Sequence, residues 1–245
     1  MNDSRPHDDA HHDARHGPRV ETDIKVLLVD DQDLFREGVR VIIDAQEGMG
    51  VVGTAGDGVE AVRLVDELAP DVVLMDIRMP EMDGVEATRQ LFAPDRVARR
   101  AATGAAPVRV VVLTTFNLDD RAATAIRHGA SGFLLKDTTP VQLRDAIRTV
   151  HAGNAVLAPD DLSALMAGSF VAPTPTPAAY LELTDKEREV FAAVARGLSN
   201  VEIGALVFAS ESTVKTHVGA ILRKLALRDR VQIVVYAHEH GLVAS

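Results

Sequence analysis

The segment Val72-Val73-Leu74-Met75-Asp76-Ile77-Arg78-Met79-Pro80-Glu81-Met82-Asp83-Gly84 opens with four apolar residues in a row, entered through Pro70-Asp71 and closed by Asp76. An unbroken apolar run of this kind reads as a strand buried on both faces, the pattern of an inner strand of a parallel sheet. Asp76 then stands at a strand's carboxyl end, where open α/β sheets form their ligand crevice, and Met79 to Gly84 supplies the turn into the next helix. The window also fits an Asp that only caps its own loop, so the flanking sequence has to decide.

Working upstream, Lys25 to Val29 is a second buried-type strand, ending in the adjacent carboxylates Asp30-Asp31, and Met49 to Gly53 is a third. Helical patterns lie between them, from Gln32 with Leu34, Val39 and Ile42-Ile43, and from Gly58 to Leu68. Downstream, a helix is predicted from Gly84 to Leu91 and Ala93–Pro107 reads as a long Ala/Arg-rich connection. Val108 to Leu113 is the fourth strand, ending in Thr114, and Ser131 to Leu135 is the fifth, ending before Lys136. Helices from about Leu118 to His128 and from Thr139 to His151 complete the unit. Five strands alternating with five helices predict an α/β fold, a doubly wound parallel sheet.

Right-handed crossovers bring the strand ends to one edge. Asp30, Asp31, Asp76, Thr114 and Lys136 therefore converge. Adjacent carboxylates repel unless a cation or shared proton relieves them, although acids at a helix start would also be favoured by its dipole. Hard oxygen ligands with room for water suit Mg²⁺ bridging to a phosphoryl oxygen, and an ammonium and a hydroxyl would neutralise a transferring phosphoryl group on Asp76.

Residues 24–152 resemble the receiver domain of two-component response regulators through Val29-Asp30-Asp31, Met75 to Pro80, Leu113-Thr114 and Lys136. The resemblance implies a flavodoxin-like fold in which Asp76 accepts phosphate from a sensor histidine kinase. It also implies an acidic pocket of Asp30 and Asp31, with Mg²⁺ held by Asp31, Asp76, the backbone carbonyl of Arg78 and, as a further candidate, Asp30. Thr114 and Phe133 match the family's switch pair, and Lys136 its phosphoryl-stabilising lysine. Phe133 lacks the hydroxyl of the tyrosine often found there, and Asp137 follows where many receivers carry proline.

Composition bounds the rest. The chain has 245 residues, enough for two domains, 47% of them apolar, and no cysteine, which excludes disulfides and thiolate chemistry. No apolar run of about 18 residues is present and the charged start lacks the apolar core of a secretory signal, so a cytoplasmic protein with no membrane partner is expected. A net charge of -10 confines any DNA contact to a local patch. Residues 1–23, with His7, His11, His12 and His16, read as a disordered tail, whose histidines allow only weak metal binding. The Pro-rich run Val171 to Pro177 marks a linker, 153–180, of extended character.

The remaining residues, 181–245, read as a small all-α domain of four helices. Thr184 to Glu187 and Ser199 to Glu202 each match a capping box, so helices start there. A third runs from about Ser212 with Val214, Val218, Ile221, Leu222 and Leu225 on one side, leaving Thr216, Gly219 and Arg223 outward and Lys215 and His217 on the flanks. Such a face suits a major groove, with phosphate contacts at its edges. From Lys215 to Arg230 five cations oppose Asp229, a net of +4, although over 181–245 eight Lys/Arg balance eight Asp/Glu. An ordinary solvated helix is the competing reading of that face.

Leu183 to Val190, Gly197 to Ile203 and Thr213 to Val218 closely resemble the LuxR-type helix-turn-helix, here spanning about 200–219. Together the two resemblances identify a NarL/FixJ-type response regulator. They imply double-stranded DNA as partner, contacts from Thr213, Lys215, Thr216, His217, Gly219 and Arg223, and a homodimer on activation through a last helix at about Val231 to His240. Gly219 departs from relatives that carry a side chain there, which bears on the base preference. The implied activity is not enzymatic beyond self-phosphorylation from small donors and slow autodephosphorylation. An Asp-nucleophile phosphatase would favour a carboxylate two residues after Asp76, where Arg78 stands. A DNA-binding regulator working without phosphorylation is a further reading, opposed by the intact acidic pair, Thr114 and Lys136.

Overall fold

The computed structural model describes residues 24–115, 120–154 and 176–242. The reading of residues 1–23 as a disordered tail and most of the proline-rich linker lie outside them. The first unit runs β1 (Ile24–Val29), α1 (Asp33–Asp44), β2 (Met49–Ala55), α2 (Gly58–Leu68), β3 (Val72–Asp76), α3 (Gly84–Leu91), α4 (Pro94–Ala102), β4 (Arg109–Thr114), α5 (Asp120–Arg127), β5 (Gly132–Leu135) and α6 (Pro140–His151). The five strands pair in parallel in the order β2-β1-β3-β4-β5. This is the flavodoxin-like doubly wound order, whose strand sequence reverses between β1 and β3.

Alternation along the strands builds a core on each face of the sheet. Val26 and Leu28 of β1, Leu74 of β3 and Val111 and Leu113 of β4 pack with Val39 and Ile43 of α1 and Leu143, Ile147 and Val150 of α6. Their neighbours Leu27, Val29, Val73, Met75, Val110 and Val112 face the other way, toward Val62 and Val65 of α2, Leu91 of α3 and Ile126 of α5. Every residue of β3 is buried, which is why its hydrophobic run is continuous rather than alternating. Each such side chain contributes about 1.5–3 kcal/mol when fully buried.

One element differs from expectation. The Ala93–Pro107 segment, read as a connection, contains α4, so among the described residues the unit has six helices rather than five. Pro94 occupies its first turn, where a missing N–H costs nothing, and Asp95 and Arg99-Arg100 complement the dipole at its two ends. Apolar periodicity could not reveal it, because α4 has no buried residue.

The second unit comprises α7 (Ala178–Leu181), α8 (Asp185–Ala195), α9 (Asn200–Val207), α10 (Glu211–Lys224) and α11 (Arg230–Glu239). Thr184 and Ser199 form complete capping boxes with Glu187 and Glu202. The short α7, inside the stretch read as linker, sets the Tyr180 ring edge-on against Phe191 at 5.0 Å between centroids. Phe191, Val194, Ile203, Val214, Ile221 and Val234 form the small core, which is continuous with the α2/α3/α5 side of the first unit. Among the described residues no helix is long and apolar enough to cross a membrane.

Candidate functional site

Four strands end at one cavity. Asp31 follows β1, Asp76 ends β3, Thr114 ends β4 and Lys136 follows β5, and with Gln32, Ile77, Arg78 and Thr115 they line a space of about 140 Å³. Asp30 and Asp76 are buried and Asp31 is exposed, and carboxylate oxygens of the three lie within 4.8 Å of one another. Lys136 Nζ stands 2.7 Å from Asp30 Oδ2 and 3.0 Å from Asp76 Oδ2. Thr114 is buried at the cavity wall. Phe133, half-buried on β5, packs against the core instead of lining the cavity.

Burial raises the Asp76 pKa above the ordinary carboxylate value, and repulsion from Asp30 adds to it, against the Lys136 ammonium and the Arg78 backbone, which stabilise the charged form. Burial works against the charge on Lys136, but Asp30 and Asp76 together carry its pKa upward. The lysine therefore stays charged as the counterion of two carboxylates. Asp30 Oδ1 accepts from Gln32 N at 2.9 Å, whereas buried Oδ2 has the ion pair but no hydrogen bond of acceptable geometry. A carboxylate oxygen left in this condition, beside two further acids, fits a hard divalent cation such as Mg²⁺.

The loop after Asp76 is held at close quarters. Gly84 N donates to Ile77 O at 3.0 Å, Asp83 caps α3 through Glu86 N at 2.8 Å, and a β-carbon on Gly84 would lie 2.0 Å from Asp76 O. Only glycine permits that approach.

In the second unit, α10 presents Thr213, Lys215, Thr216, Gly219 and Arg223 to solvent, with His217 half-buried and Val214 and Ile221 in the core. Ser210 caps the helix through Thr213 N at 3.2 Å, and Lys215 is paired with Glu211 at 2.8 Å. The positive cluster read from Lys215 to Arg230 is not one patch. Lys224 turns back to Glu187 at 2.6 Å and Arg230 to Asn200 Oδ1 at 2.8 Å. Arg228 leaves its own domain altogether, its guanidinium carbon 3.4 Å from the Phe92 ring centroid and its Nη2 3.2 Å from Gly129 O.

Comparison with known proteins places each of the two units in a family. The profile of the response regulator receiver domain matches residues 26–148, and that of the bacterial regulatory proteins of the luxR family matches residues 181–237. The chain belongs to the two-component response regulators. Transcriptional regulatory protein LnrK of Bacillus subtilis (strain 168) is 40% identical over 228 residues, covering 89% of this chain and 98% of LnrK. LiaR of the same strain is 39% identical over 225 residues, covering 90% and 99%. Among solved structures, the response regulator ChrA of a heme-sensing two-component system aligns with 34% identity over 91% of this chain and 100% of ChrA, at a TM-score of 0.46.

In this response regulator, receiver and LuxR-type domains meet through residues that motif reading did not single out. Ser131 Oγ donates to Asp229 Oδ2 at 2.7 Å in a buried contact, and Gln232 Nε2 reaches Ile126 O at 3.4 Å. Asp229 is also the N-cap of α11, accepting from Gln232 N at 3.1 Å. Its carboxyl pKa is pushed up by burial, against Ser131 and Arg228. The signal available in the sequence was Asp229 as a cap, which predicts the helix start but not the serine 98 residues away.

Proposed function

We propose that this protein is a transcription factor switched by phosphorylation of Asp76 from a sensor histidine kinase, with a receiver of residues 24–152, a linker to 180 and a DNA-binding domain of 181–245. The observation that carries the reading is the cavity joining Asp76, Asp31, Thr114 and Lys136 from four strand ends. The Asp76 carboxylate attacks the phosphorus of the kinase's phosphohistidine, the P–N bond breaks, and the imidazole leaves with the bonding pair. Lys136 balances charge on the phosphoryl oxygens, and the Thr114 hydroxyl donates to one of them. Asp31, Asp76 and the Arg78 carbonyl, with Asp30 beside them, would hold Mg²⁺, which supplies further charge neutralisation when bound. Phe133 completes the switch by packing into the space that Thr114 vacates.

The output is DNA binding by α10, with Thr213, Thr216 and Gly219 toward base edges and Lys215, His217 and Arg223 toward phosphates. In the present arrangement the receiver holds the start of α11, the helix assigned to pairing two copies, so phosphorylation acts by shifting the equilibrium toward an undocked, dimeric form. The protein then has no steady enzymatic turnover beyond loss of its own phosphoryl group.

The test is acetyl phosphate with Mg²⁺ on wild type and Asp76→Asn, read by intact mass and light scattering. A phosphate-sized mass gain with a shift to dimer in wild type alone is expected. Mass gain persisting in the variant, or dimerisation independent of it, refutes the assignment.

A further inference from the structure

The first turn of α1 carries a side chain that the sequence motifs pass over. Arg36 lies at the end of β1, only 17% exposed, and donates through Nη1 to the Asp30 carbonyl and through Nη2 to Asp33 Oδ1. A β-carbon on Gly56 would stand 3.7 Å from its Nη1, so the guanidinium also sits beside the turn after β2. Gln32, the N-cap of α1, makes no side-chain hydrogen bond to the helix start. Arg36 supplies a different tie, from the helix back to the strand.

Asp30 is thereby gripped on every side. Its N donates to Ala55 O at 3.1 Å, its Oδ1 accepts from Gln32 N at 2.9 Å, its Oδ2 meets Lys136 Nζ at 2.7 Å, and its carbonyl accepts from Arg36. Asp31 differs. It is exposed, and its carboxylate has no hydrogen-bond or ion-pair partner among the described residues, yet one of its oxygens lies within 4.8 Å of those of Asp30 and Asp76. What orients it is the backbone on either side, and Arg36 spans that backbone from Asp30 to Asp33.

We propose that Arg36 is a positioning residue of the phosphorylation site: by tying the Asp30 carbonyl to Asp33 it fixes the aim of Asp31 at a divalent cation. The inference rests on the reading of Asp76 as a phosphoryl acceptor with such a cation beside it. Arg36 acts on the cation in two opposed ways. Its charge repels the ion, but that charge is paired with Asp33, which is 88% exposed, so solvent and counterion screen it. Groups that hold a metal's ligands in place are worth about 10–100-fold in affinity. Positioning outweighs repulsion, and loss of Arg36 weakens cation binding where loss of a charge alone would tighten it.

The experiment is titration of the full-length protein, without any phosphoryl donor, with Mn²⁺, which shares the preference of Mg²⁺ for hard oxygen ligands, read from the paramagnetic resonance signal of the free ion. Arg36→Gln, verified as folded by circular dichroism, is expected to bind about tenfold more weakly than wild type. Arg36→Lys, which can serve one acceptor but not both, is expected in between, and carries the test should Arg36→Gln not fold. Amide hydrogen exchange over residues 30–34 of the metal-free protein should be faster in Arg36→Gln. With acetyl phosphate, the Mg²⁺ concentration giving half the maximal rate should rise about tenfold while the rate at saturating Mg²⁺ stays within about twofold. Affinity in the folded variant equal to or tighter than that of wild type overturns the proposal and leaves the phosphorylation reading standing. Absence of Mn²⁺ binding to wild type overturns both.

Discussion

Replacing Gly84 by alanine probes the close approach that fixes the loop after Asp76. The added β-carbon would stand 2.0 Å from Asp76 O and 3.0 Å from both the Asp76 carbonyl carbon and Met75 Cγ. Contacts under 3.0 Å essentially never occur, so chain and loop must separate by about 1 Å in a region packed like a crystal. Overpacking of this kind costs about 1–3 kcal/mol, and the obstacle here is backbone rather than a side chain that can rotate away. A misplacement of about 1 Å at a reacting centre costs on the order of 100-fold in rate. We therefore expect Gly84→Ala to lower the urea midpoint of the receiver transition and to slow phosphorylation by acetyl phosphate about 100-fold. Gly219 is the control: a β-carbon there meets nothing within 4 Å, and the site lies inside α10. Gly219→Ala should stabilise by about 0.5–1 kcal/mol and leave the phosphorylation rate unchanged. A Gly84→Ala protein with wild-type midpoint and wild-type rate would refute the steric reasoning.

Ser131→Ala removes the 2.7 Å donor to buried Asp229, a loss of about 1–3 kcal/mol that should shift the docking equilibrium roughly fivefold or more, visible as a larger radius of gyration in small-angle scattering. Because burial raises the Asp229 pKa in the docked state, docking takes up a proton; it is favoured as pH falls toward the ordinary carboxylate range and lost as pH rises through the docked value, and Asp229→Asn should abolish that dependence. The Lys224 hydrogen bond lowers the Glu187 pKa, so its stabilisation is present above about pH 4.5 and disappears as pH falls through the folded value. Lys224→Met should remove this acid sensitivity from the thermal unfolding of the DNA-binding domain at a cost of about 1 kcal/mol near neutral pH, and an unchanged pH profile would count against the pair. Lys215→Ala and Arg223→Ala should each reduce the salt slope of DNA binding by about 1 across unrelated sequences, whereas an unaltered slope would remove that residue from the phosphate contacts.

Much of the receiver was legible residue by residue. Buried parallel strands write themselves as short apolar runs, and Asp30-Asp31, Asp76, Thr114 and Lys136 each close or follow one, so topology rules alone bring them to one edge. Helix starts at Thr184 and Ser199 were equally plain, because a capping box is a contact over three residues. Helix α4 was missed because its helical signals, Pro94 and a run of Ala and Arg, come without an apolar stripe. The destination of charge was not legible at all. Lys224, Arg228 and Arg230 read as one basic cluster with Lys215 and Arg223, yet they turn to Glu187, to Phe92 with Gly129, and to Asn200. A local pattern encodes contacts a few residues apart, whereas the Ser131–Asp229 and Gly129–Arg228 bonds join residues 98 and 99 positions distant, and only packing of one domain on the other brings such groups within reach.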